Sequence, residues 1–193
     1  MNYDAAVQVA HAISTHAVHN EYDYFTAVDD CAPEDNAGAG HLGTVEFNSA
    51  TLYRYATVDV TQLMEYLGKN DIAEYVCGFL DAFVRAMPTG KQNTFANRTL
   101  PDDIYVAIRC DQPVNLVGAF EKPVAGKDGY VEASERRFTA FAKQTYAKFA
   151  AEPAAALAVG EAMGELAPTM SMAELLKETG EQVAAHLPEK EAE

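Results

Sequence analysis

Residues 6–18, AVQVAHAISTHAV, set small and β-branched residues in rough alternation, the period of an extended chain. Residues 45–58, VEFNSATLYRYATV, alternate more clearly, with Val45, Phe47, Tyr53 and Tyr55 sharing one parity. Two strands are therefore expected, separated by an excursion too long for a tight turn and rich in Pro and Gly at 32–43. Asp59 is placed to cap a short helix, TQLMEYLG, closed by Gly68. Asp71 with Glu74 reads as a capping box, and Ile72, Val76, Phe79, Leu80, Phe83 and Val84 then follow the helical period until Pro88. A polar loop at 88–101 leads to a strand at 103–110 and a second Gly- and Pro-rich loop at 111–129. Ser134 opens a helix carrying Phe138, Phe141 and Tyr146, an alanine-rich helix is expected over 153–166, and Ser171 with Glu174 caps a last helix ending at Pro188. The order strand, strand, helix, helix, strand, helices predicts an α+β fold with few strands for a sheet core.

The 193 residues fit one domain with a core of ordinary size. No apolar run approaches a membrane span, no basic-then-apolar leader opens the chain, and the three scattered cysteines (Cys31, Cys77, Cys110) point to a reducing cytoplasm. The formal net charge is −15, which by itself argues against nucleic acid. Its distribution changes that picture. Residues 1–53 carry eight acids and no Lys or Arg, residues 149–193 carry nine acids and two lysines, and residues 54–148 balance twelve of each sign. An anion site is expected in the middle of the chain.

Catalytic patterns are thin. His11, His16, His19 and His41 lack zinc spacing, and none has a carboxylate at a helical offset, so no metal or cofactor is expected from them. Asp29-Asp30 fits a turn as well as a magnesium ion, and Cys77 sits in the apolar helix. No nucleophile elbow, P-loop or dinucleotide fingerprint is present, so no enzyme is expected. The middle loops offer more. GKQNTFANR sets Lys91, Gln92 and Thr94 around Phe95, and EKPVAGKDG sets Lys122 and Lys127 among glycines, both suited to phosphate or to a plain polar surface.

The stretch EYDYFTAVDD, residues 21–30, interleaves Tyr22, Tyr24 and Phe25 with four carboxylates. Its rings either fold into the core or project to stack on bases or on another protein. Stacking needs only a π-face, so it tolerates local acids when phosphates are held elsewhere.

AHAISTHAVHNEYDYFTAVDD followed by HLGTVEFNSATLYRYATVDVTQLMEYLG resembles the CasC family, with GKQNTFAN and AFEKPVAGKDGY in the same order. CasC proteins are backbone subunits of Cascade, the type I-E CRISPR surveillance complex. The resemblance spans about residues 1–187 and falls in the C-terminal half of longer family members. It implies an incomplete RRM-like, ferredoxin-like palm across 1–193, with a thumb hairpin at 20–43, C-terminal helices and an acidic tail at 188–193. Copies of the family line up on one CRISPR RNA, and each thumb displaces a base so that the rest stay free for target DNA. The implied partners are CRISPR RNA, target DNA, neighbouring copies and other Cascade subunits, in the cytoplasm and without catalysis. The implied contacts are Tyr24, Phe25, Thr26 and Val28, then His41 and Leu42 on the returning arm, with Lys91, Gln92, Thr94, Lys122 and Lys127 on the loops. Two alternatives stay open: an RRM-like endoribonuclease using His16, His19 or His41, and an assembly fragment that touches no RNA.

Overall fold

A computed structural model describes residues 4–27 and 41–187. The architecture is α+β, as expected, and is compatible with an incomplete RRM-like palm. Its described strands pair in four separate antiparallel twos: β1 (Val7–Val9) with β6 (Ala56–Val58), β2 (Ile13–Ser14) with β5 (Leu52–Tyr53), β3 (Glu21–Ala27) with β4 (His41–Phe47), and β7 (Ile104–Ile108) with β8 (Ala155–Val159).

The first three pairs are segments of one interrupted ribbon. From Val9 to Ile13 the outgoing chain advances four residues while the returning chain advances three, from Ala56 to Tyr53. From Ser14 to Glu21 it advances seven while the return advances five, from Leu52 to Phe47. Extra residues on one strand bend a ribbon and increase its twist. The continuous strands expected over 6–18 and 45–58 are therefore broken, and the excursion between them is the ribbon's own distal hairpin.

The larger insertion turns Thr15 and His16 inward, and both are buried. Ser14 Oγ donates to the His16 carbonyl (2.7 Å) and accepts from the His16 amide (3.2 Å), closing the bulge. Thr15 O accepts from Val124 N (2.8 Å), and Thr15 Oγ1 lies 2.8 Å from Ser134 Oγ. These bonds seat the bulge on helix α4 (Val131–Lys148) and on the loop before it. Ser134 therefore does not open α4 as expected. It lies one turn inside, where its hydroxyl bonds the Tyr130 carbonyl (2.6 Å).

Helix α1 (Val60–Leu67) has the expected cap, with Asp59 Oδ1 accepting from Gln62 N at 3.0 Å. Helix α2 (Ile72–Arg85) does not have the expected capping box. Asp71 adopts φ 64°, and its side chain makes no cap bond; the turn into α2 takes the left-handed conformation that Asp tolerates better than most residues. The loop at 88–101 contains one short helix, α3 (Gln92–Phe95). Helix α5 (Met172–Ala185) has the full Ser171–Glu174 box and packs on α2, where Cys77 Sγ donates to Leu176 O. Gly180 permits that approach, since a Cβ there would stand 3.1 Å from Cys77 Sγ. Burial raises the Cys77 thiol above its ordinary pKa, in keeping with a packing role.

The alanine-rich segment 153–166 is corrected more fully. It forms strand β8 and a 3-10 turn at Glu161–Glu165 instead of a helix. Alanine's helix preference is a weak prior, and here pairing overrides it. β8 bonds β7 on one side, while on the other Ala158 N donates to Pro168 O and Met170 N donates to Ala158 O. Gly160, at φ 100°, ends the strand where few other residues can.

Asp103 packs against that glycine, since a Cβ on Gly160 would fall 1.9 Å from Asp103 Oδ1. Burial, then a hydrogen bond with Glu135 and the charges of Glu135 and Asp102, push the Asp103 carboxyl up from 3.8 to about 7. A raised carboxyl contributes stability that is complete below about pH 4 and lost as pH climbs through about 7. Thermal melts of Asp103→Asn are expected to lose part of the wild-type decline between pH 4 and 8. An unchanged decline would place it on other groups.

Candidate nucleic-acid interface

The β3–β4 hairpin carries seven consecutive cross-strand pairs, from Glu21↔Phe47 to Ala27↔His41. Every residue of β3 is exposed. Alternation along a strand divides the ribbon into two faces. One holds Tyr22, Tyr24 and Thr26 opposite Glu46, Thr44 and Leu42; the other holds Glu21, Asp23, Phe25 and Ala27 opposite Phe47, Val45, Gly43 and His41.

The two rings expected to act together are thus on opposite faces. Tyr24 is 72 % exposed. Phe25 crosses to Gly43, where a Cβ would meet its ring at 2.3 Å, so the ring occupies the space the glycine leaves. Thr26 and Leu42 join Tyr24, and Leu42 is exposed too. Tyr22, absent from the expected contacts, shares their face and is 62 % exposed. Its spacing of two from Tyr24 was the available sequence signal. Asp23 Oδ1 accepts from Tyr24 N at 2.9 Å, tying one carboxylate to the strand. His41 is described here only by its pairing with Ala27, and Val28, Asp29, Asp30 and Cys31 lie outside the described residues, as does the tail 188–193.

The first lysine loop lies at the base of this hairpin. Phe95 of α3 meets Phe47 of β4 edge to face, centroids 5.1 Å apart. Lys91 and Thr94 are exposed, while Gln92 Oε1 accepts from Arg98 Nη2 at 2.7 Å and is engaged within the loop. Lys91 stands at φ 58° and Ala96 at φ 49°, so the short helix is bounded by two left-handed residues. The second loop is a separate anchor point. Val124 is buried and bonded to Thr15, Arg137 donates to the Lys122 carbonyl, and the Lys122 and Lys127 side chains face solvent.

The histidines divide by environment. His11 and His19 are exposed. His16 is buried and stacks on Tyr130, centroids 3.7 Å apart and planes 9° apart. His16 Nε2 accepts from Thr51 N (3.1 Å), which leaves the hydrogen on Nδ1 to donate to Ala17 O (2.8 Å). Both ring nitrogens are occupied by the backbone. Among the described residues no three His, Cys, Asp or Glu side chains cluster as metal ligands, and no helix is long and apolar enough to cross a membrane.

No curated protein matches the chain. Among solved structures, a chain titled "CRISPR RNA-guided surveillance complex" is 34 % identical with a TM-score of 0.82, covering 94 % of this protein and 71 % of that chain. Another, titled "CRISPR RNA-guided surveillance complex, pre-nicking", is 32 % identical with a TM-score of 0.81; this protein, 94 % covered, spans about half of it (51 %). The model of the CT1975-like protein family matches residues 1–183. The chain belongs to the CT1975-like family, whose solved relatives are chains of CRISPR RNA-guided surveillance complexes, in agreement with the CasC resemblance of its sequence.

Proposed function

We propose that this chain is a non-catalytic backbone subunit of a Cascade-type complex. In this reading it grips CRISPR RNA with the β3–β4 hairpin and leaves the remaining bases free to pair with target DNA in the cytoplasm. Neighbouring copies and other Cascade subunits are its protein partners. The observation that carries the reading is the projecting hairpin with an exposed ring at Tyr24, in a chain of this family. Bases would meet the rings while Lys91, Lys122 and Lys127 hold phosphates, since the hairpin itself carries carboxylates and no lysine or arginine among its described residues.

Salt dependence tests the division of labour. Each neutralised phosphate of a single strand adds about −0.7 to the slope of log affinity against log salt. Three lysines therefore predict a slope near −2, and each Lys→Ala variant is expected to flatten it by about 0.7. Fluorescence anisotropy of labelled CRISPR RNA at several salt concentrations reads this directly. No binding at any salt, with assembly into the complex intact, would replace the RNA-gripping reading with one of protein docking alone.

A further inference from the structure

Tyr22 and Tyr24 lie two apart on one face of β3, at 62 % and 72 % exposure. An antiparallel strand rises about 3.4 Å per residue, so their attachment points stand about 6.8 Å apart. Successive stacked bases repeat at about 3.4 Å, so two rings with that spacing leave the thickness of one flat ring between them. Strand side chains stand roughly perpendicular to the ribbon, which lets both rings present their faces along the strand axis. We infer that Tyr22 and Tyr24 form a two-jawed clamp for one unpaired nucleobase. The inference rests on the RNA-binding reading above and adds to it a second jaw and a defined occupant.

Three features favour a base over other occupants. Glu46 stands directly across from Tyr22, and Glu21 and Asp23 flank it along β3, so a phosphate is repelled from this site and the nucleotide enters base first. Thr44 and Leu42, opposite Tyr24 and Thr26, provide a low floor beside the jaws without filling the gap. Stacking between two π-faces accepts any base, as an RNA of variable sequence requires. Phe25 takes no part in the clamp. Its ring lies over Gly43 on the other face and acts as a positioning residue for the ribbon.

The test uses the full 193-residue chain and a single-stranded oligoribonucleotide carrying one 2-aminopurine, whose fluorescence falls on stacking. Tyr22→Ala is expected to weaken binding about tenfold and to lose much of the quenching, as is Tyr24→Ala. Tyr22→Phe keeps the ring and is expected to bind like wild type. Wild-type binding that depends on Tyr24 but not on Tyr22 overturns the clamp and leaves the RNA reading standing. Failure of the wild-type chain to bind RNA overturns both. Self-association lowered by Tyr22→Ala, with the 2-aminopurine signal unmoved, overturns the clamp in favour of a contact between copies. Far-UV circular dichroism and melting of each variant confirm that the exposed substitutions leave the fold intact.

Discussion

Replacing Tyr24 and Phe25 together with alanine is expected to weaken CRISPR RNA binding by roughly 10- to 100-fold without changing its salt slope. Base–aromatic stacking contributes about 1–3 kcal/mol per base, and each 1.4 kcal/mol is about tenfold in affinity. The slope counts phosphates and is set by lysines that the substitutions leave alone. Affinity should therefore fall by a constant factor at every ionic strength. The two rings contribute differently. Tyr24 is open to a ligand, whereas Phe25 covers Gly43, so its removal also uncovers backbone in the ladder. Separate variants resolve this: Tyr24→Ala should change binding with an unchanged melting temperature, and Phe25→Ala should change both. The seven-pair register of β3 and β4 offers enough main-chain bonding for the hairpin to survive either. An affinity unmoved by the double substitution would remove the rings from RNA contact.

The helices α2 and α5 were legible because amphipathic period and end signals agree there, and Ile72, Val76, Leu175 and Val183 are buried where the period puts them. The Asp59 cap and the Ser171–Glu174 box followed from local chemistry alone. Asp71 shows the limit of that chemistry. The same residue types three apart give no box when the chain enters the helix through a left-handed turn. The segment AALAV failed for a different reason. Its strand state depends on β7, some fifty residues earlier, and local propensity contains nothing about that partner. The ribbon failed partly. Alternation located the strands but not the one- and two-residue insertions, because bulges are settled by what the displaced residues reach. At the candidate site, the acidic–aromatic composition marked the hairpin, while only the register separates Phe25 from Tyr24 and pairs Tyr24 with Tyr22.

His16 is where the fold and the competing reading of a histidine-dependent nuclease meet, and His16→Ala is expected to cost about 2–4 kcal/mol of folding stability. Loss of the ring leaves Thr51 N–H without its acceptor, at about 1–3 kcal/mol, and removes the stack on Tyr130, at about 0.5–1.5 kcal/mol. The Ala17 carbonyl loses its donor as well. These bonds hold the two-residue bulge from which the distal hairpin departs, so the damage falls on the joint between palm and hairpin. Urea unfolding of wild type and His16→Ala measures the difference, and His16→Asn, which keeps an amide donor and acceptor, should lose less. A nuclease predicts another pattern. Its wild type would cut repeat RNA without metal, and His16→Ala would abolish cutting at little cost in stability. A ring whose two nitrogens are bound to Thr51 N and Ala17 O has neither left for a ribose hydroxyl or a leaving oxygen. The structural role therefore requires the stability loss and no cleavage by either protein. A loss under about 0.5 kcal/mol would mean the bulge is held without the ring and would reopen His16 to chemistry.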